Sequence, residues 1–133
     1  MKNIRWDDSL SVGVEEIDED HRRLVDLFNL LSEAVGAEES AEYIDALLVE
    51  LISCTEWHFH HEERLMIRYG YDGMEDHKDE HIDLIDNVRD LQRRFYESRQ
   101  TLTTDNIEFL ADWLTGHIVG VDMRMGYFLA QKM

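Results

Sequence analysis

Apolar side chains return every third or fourth position along most of this chain, the period of helices that lay one face on a core. The stripe His21, Leu24, Phe28, Leu31 and Val35 predicts a first helix, ended by Gly36. Asp18 reads as its N-cap, with Glu19 and Asp20 complementing the helix dipole. A second stripe runs through Ile44, Leu48, Leu51, Thr55, His58, Glu62, Leu65 and Tyr69, capped by Ser40 and stopped at the turn Gly70-Tyr71-Asp72-Gly73. A third helix is expected to begin near Met74 to Asp76 and to carry His77, His81, Leu84, Val88, Leu91 and Phe95. The pattern lapses between Ser98 and Thr104. Thr103 or Thr104 then caps a fourth helix with Ile107, Leu110, Leu114 and His117 on its stripe. Asp122 is read as the opening of a short terminal helix, Met123 to Ala130, which adds Met125, Phe128 and Leu129.

Ahead of the helices, residues 1–16 read as an ordered arm. Trp6, Leu10, Val12, Val14 and Ile17 anchor it, and Gly13 permits a bend. Four long helices joined by short loops run antiparallel to their neighbours. The expected fold is therefore all-α: an up-down-up-down antiparallel four-helix bundle with an N-terminal arm and a short C-terminal helix. As boundaries, one domain spans 1–133, with the arm over 1–17, the bundle over 18–119 and the terminal helix over 122–130. The composition agrees. There is no proline, only 7 glycines and 44% hydrophobic residues, enough to bury a core without staples.

Charge narrows the partners. A formal net charge of −17 repels phosphate backbones and anionic lipid, so neither nucleic acid nor a membrane surface is expected, and a soluble monomer is the simplest form. Cys54 is the sole cysteine, which excludes a disulfide framework or a thiolate cluster within one chain. The start of the chain has no apolar run, and no segment approaches the length of a membrane span. A cytoplasmic protein is expected.

Polar residues interrupt the apolar stripes, and always toward one end of the bundle. His21 lies near the start of the first helix, His58 and Glu62 near the end of the second. His77 and His81 open the third, and His117 closes the fourth. In the expected topology these four ends coincide. One histidine on an apolar stripe reads as a satisfied core residue. Buried polar groups on all four helices at once, a carboxylate among them, carry a free-energy cost that bound metal would offset. Asp122 follows His117 by five residues, which points the two apart on a continuous helix. Gly120 between them suggests a local break that turns Asp122 back to the site.

These donors are too many for one zinc ion. Five imidazoles, two bridging carboxylates and a bridging oxide or hydroxide leave a single position of two octahedral ions open. Imidazole-rich ligation admits iron, zinc, copper or nickel, and the carboxylate bridges favour a pair of irons. The pattern differs from the carboxylate-rich ferritin-like one. A nearly saturated, histidine-rich site points to binding rather than turnover.

The residues that carry this site also carry a family resemblance. The chain resembles the hemerythrins, most closely the single-domain bacterial ones, in Asp20-His21 with Leu24, His58-Phe59-x-x-Glu62-Glu63, His77-x-x-x-His81 and His117-x-x-x-x-Asp122. The likeness extends through the Trp6 arm, Val12-Gly13-Val14 and Ile17-Asp18. It implies non-haem iron (Fe2+/Fe3+): one ion on His77, His81 and His117, the other on His21 and His58, with Glu62, Asp122 and an oxygen atom bridging them. Dioxygen would bind reversibly at the two-histidine iron, against an apolar wall that the resemblance assigns to Leu24, Phe59, Trp113, Leu114 and Ile118. Tyr71-Asp72 departs from the Tyr-Pro common in this turn of the family, away from the ligands.

The expected function is reversible dioxygen binding for storage, delivery or scavenging. The alternatives are oxygen or redox sensing through a partner protein, and a di-iron peroxidase or nitric oxide reductase. No acid–base residue outside the ligands is evident, which favours a binding protein over an enzyme, with no catalytic residue assigned. His60 and His61 lie off the inner stripe and read as surface residues; Cys54 reads as a small core residue.

Overall fold

The structure, a computed structural model, describes residues 3–98 and 102–133. Every regular element among them is helical. After a 3₁₀ turn at Asp8–Leu10 come α1 (Glu15–Gly36), α2 (Ala41–Tyr69), α3 (Met74–Ser98) and α4 (Thr104–His117). A π-helical turn, Ile118–Asp122, leads into α5 (Met123–Lys132). α1 packs on α2 and α4, and α3 packs on the same two helices, which closes the four into a bundle.

The stop and start signals act as their chemistry dictates. Ser40 accepts a hydrogen bond from the Tyr43 amide at 3.2 Å at the head of α2. Gly70 ends that helix in the left-handed region, at φ +71°. Thr103 forms a capping box with Asn106 at the head of α4. The polar lapse before it falls partly on residues 99–101, outside the described residues.

The start of α1 differs from expectation. The helix begins at Glu15, and Asp18 is not its cap. Asp18 is buried one turn in, where it accepts from the Val12 amide at 2.9 Å and the Ser11 hydroxyl at 2.6 Å. Its carboxylate thus satisfies the arm's polar groups rather than the helix's. The arm is further tied by Asn29, whose side-chain oxygen and nitrogen pair with the amide and carbonyl of Ile4 at 2.8 and 2.9 Å. It then crosses α5 at Gly126, where a Cβ would stand 2.2 Å from the Val12 carbonyl oxygen. Only glycine permits that approach.

The core has two parts. Toward one end Phe28, Leu31, Ile44, Leu48, Val88, Ile107 and Leu110 are completely buried. Toward the other the buried set turns polar, with His21, His58, Glu62, His77, His81, His117 and Asp122.

Candidate metal centre

Glu62 on α2 and Asp122 at the end of the π turn have no exposed surface, and the histidines gather around them. The chain places Asp122 without breaking the helix at Gly120. The Met123 amide bonds back five residues to the Ile118 carbonyl, and Asp122 keeps right-handed helical angles with no capping bond. A π turn takes one extra residue per turn, so side chains five apart come onto one face. His117 and Asp122 therefore meet, Nε2 to Oδ1 at 3.0 Å. The expected break is replaced by a wider turn that keeps the backbone bonded.

Each carboxylate divides its two oxygens between two groups of imidazoles. Glu62 Oε2 lies 2.9 Å from His58 Nε2 and 3.4 Å from His21 Nε2. Its Oε1 lies 2.9 Å from His81 Nε2, 3.2 Å from His77 Nε2 and 4.0 Å from His117 Nε2. Asp122 repeats the division: Oδ2 is 3.0 Å from His21 Nε2, while Oδ1 is 3.0 Å from both His77 and His117. The result is two donor sets, one with His77, His81 and His117, the other with His21 and His58, sharing Glu62 and Asp122.

This donor set fits metal. The Nε2 atoms of His21, His58 and His117, Oε2 of Glu62 and both oxygens of Asp122 are buried with no hydrogen-bond partner. So many converging lone pairs are costly unless a cation sits among them. The electrostatics say the same. Burial is the largest influence on His21, His58, His77 and His117 and favours their neutral forms. The negative charges of Glu62 and Asp122 and the hydrogen bond to Asp20 outweigh it, pushing His58 up to about 10. Asp122 and Glu62 likewise push His77 up to about 9. His21 and His117 are raised for the same reason. Burial opposes ionisation of Glu62 and Asp122, yet the surrounding histidines hold both well below the usual carboxylate range. The pocket is built to hold positive charge.

Three of the five far nitrogens are braced, while Nδ1 of His21 and of His77 is buried without a hydrogen-bond partner. Nδ1 of His58 pairs with Asp20 at 2.8 Å, that of His81 with Glu63 at 2.9 Å, and that of His117 with Glu80 at 3.0 Å. Such bonds fix ring orientation and raise the ligand strength of Nε2. His60 is a surface residue as expected, its side chain 73% exposed. His61 is not: its side chain is only 13% exposed and pairs with Asp20 and Glu16. Cys54 is half-buried against the core.

Beside His21, His58 and His117 lies a cavity of about 10 Å³, the room of about one water molecule. Leu24, Phe59, Trp113, Leu114 and Ile118 all line it, joined by Thr55 and Leu84, which sequence reasoning had left in the general core. Their offsets from His58 and His81 were the available signal. The Thr55 hydroxyl donates to the Leu51 carbonyl at 2.7 Å, so its proton is engaged within α2. The Trp113 indole N–H donates to the Leu84 carbonyl at 3.0 Å, which pins the ring over the site. Phe59 stacks on His81, ring centroids 3.8 Å apart.

Fold and donors together define a class: helical bundles that hold a histidine-rich metal centre in the core. The chain belongs to the hemerythrin family, since residues 12–128 match the family described as Hemerythrin HHE cation binding domain. It is 34% identical to a bacteriohemerythrin of Pseudomonas paraeruginosa over 118 residues, 89% of this chain and 76% of that one. It is 33% identical to the bacteriohemerythrin of Methylococcus capsulatus over 82% of each chain. A crystal structure of wild-type hemerythrin superposes with a TM-score of 0.87 at 30% identity, covering 96% of this chain and 98% of that one.

Proposed function

We propose that this protein binds dioxygen reversibly at a pair of non-haem iron ions, for storage, delivery or scavenging. His77, His81 and His117 hold one ion, His21 and His58 the other, and Glu62 and Asp122 reach both. The observation that carries the reading is the division of each buried carboxylate between two imidazole groups, with a small apolar cavity that touches both histidines of one set, His21 and His58, and only His117 of the other. Bound there, an iron pair would supply the two electrons that dioxygen takes up.

The chain's own residues supply confinement. Leu24, Phe59, Leu114 and Ile118 present hydrocarbon to the cavity, and Trp113 closes it. The polar atoms of Thr55 and Trp113 are already engaged with backbone carbonyls. Outside the histidine ligands, no lining side chain offers a free proton donor or base to a guest. That favours uptake and release over turnover, because loss of a reduced oxygen species requires protons.

We further propose that the protein is a cytoplasmic monomer with dioxygen as its main partner, its net charge of −17 opposing self-association. The lone thiol of Cys54 suits a reducing compartment, and no helix among the described residues is long and apolar enough to cross a membrane. The test is to load iron, reduce it without oxygen, admit air and remove it again while recording the absorption spectrum. Two irons per chain and a repeatable spectral change are expected. Irreversible oxidation at first contact with air would overturn the reading, as would steady turnover of peroxide or nitric oxide.

A further inference from the structure

Three ligand imidazoles are braced by carboxylates, but not alike. Glu63 and Glu80 each give one oxygen to one ring, at 2.9 and 3.0 Å. The nearest further ring, exposed His60, stands 3.9 Å from the other oxygen of Glu63. At His58 the brace is shared. Oδ2 of Asp20 lies 2.8 Å from Nδ1 of His58 and 2.5 Å from Nδ1 of His61. The other nitrogen of His61 faces Glu16 Oε1 at 2.8 Å, a contact that becomes a hydrogen bond only when both ring nitrogens carry a proton. A relay thus runs from a buried ligand through half-buried Asp20 and His61 to exposed Glu16, crossing between α2 and α1.

We propose that His61 is a positioning residue of the metal centre, acting through Asp20 on His58. A carboxylate oxygen that serves two N–H donors draws less on each than it would on one alone. His61 therefore moderates the pull of Asp20 on the His58 ring and with it the electron density that His58 offers through Nε2. His58 belongs to the set whose two histidines both line the cavity, where the other set contributes only His117. A less donating ligand there favours the ferrous over the ferric ion, so the relay holds that side in its oxygen-competent state. His81 and His117, with unshared carboxylates, are stronger donors to the other ion. This inference rests on the di-iron reading above.

The test compares His61→Leu, His61→Gln and Asp20→Asn with the parent, and uses His60→Leu as a control. The readouts are zinc affinity by chelator competition and the midpoint potential of the iron-loaded protein. Asp20→Asn removes the charge behind His58; it should weaken zinc binding by roughly 10–100-fold and raise the potential. His61→Leu leaves Asp20 to His58 alone and should shift the potential the opposite way. His61→Gln keeps an N–H for Asp20 and should stay near the parent, as should His60→Leu. A mere staple between α1 and α2 would move both potentials in one direction or neither, and either result overturns the proposal. A check without variants uses nitrogen-resolved NMR of the zinc-loaded parent, where Nδ1 of both His58 and His61 should carry a proton; a bare Nδ1 on either overturns the relay. If the parent takes up no iron pair, the underlying reading fails and this one with it. Normal uptake with an unmoved potential in His61→Leu overturns this inference alone.

Discussion

The two ends of this bundle obey opposite rules. At one end Phe28, Leu31, Leu48 and Ile107 interlock as hydrocarbon and need nothing but each other. At the other, helices of the same stripe period bring five imidazoles and two carboxylates into the core. The apolar end stabilises the fold through area removed from water. The polar end works against it unless cations fill it. The difference teaches that the far end, with the arm tied down by Asp18 and Asn29, makes the site affordable and holds its donors in place before any metal arrives.

The comparison can be broken from either side. Phe28→Ala should cost about 3–5 kcal/mol of folding stability by calorimetry or denaturant titration, while the folded fraction keeps its metal stoichiometry. Loss of metal binding at unchanged folding would contradict the division of labour. Glu62→Gln should do the reverse. Its two oxygens face both donor sets, so metal affinity should fall by more than roughly 100-fold at both positions, beyond what outer partners contribute. His77→Ala should chiefly strip the three-histidine side, and full retention of metal in either variant would contradict the assignment.

Acidity acts on the polar end alone. His58 and His77 bind protons up to about pH 10 and 9, so an incoming metal ion must displace them. Apparent metal affinity should rise with pH across that range, by about tenfold per pH unit for each proton released. The metal-free protein should behave in the opposite sense. Stability from these raised histidines is fully present below their ordinary value of 6.5 and is lost as pH rises toward 9–10. Thermal melts of the two forms should diverge on the alkaline side, and parallel curves would sink this account of the pocket's charge. The smallest effect belongs to the cavity wall. Trp113→Phe removes the bond to the Leu84 carbonyl and should cost about 1 kcal/mol, with the apolar wall and metal content preserved.

Most of the fold was legible because its signals are local. Ser40, Gly70 and Thr103 mark helix ends by chemistry that needs no tertiary partner. The donors were legible because polar residues on an apolar stripe are anomalous, and the chain's topology brings their ends together. The exceptions are all tertiary. Asp18 resembles a cap to any local reading, and only the returning arm reveals its partners Ser11 and Val12. The π turn hides in a five-residue spacing, since Gly120 suggests a break while the backbone instead closes a wider ring at Met123. His61 sits off the inner stripe, and nothing in α2 shows that α1 carries Asp20 and Glu16 up against it.

The central claim is that two irons share Glu62 and Asp122 beside a dry cavity and take up dioxygen reversibly. Absorption spectroscopy of the reduced, iron-loaded protein through repeated cycles of air and vacuum tests it most directly. The account predicts two irons per chain and a band that appears with air and disappears without it over several cycles. A single metal per chain, or a spectrum that changes once and never returns, would contradict it.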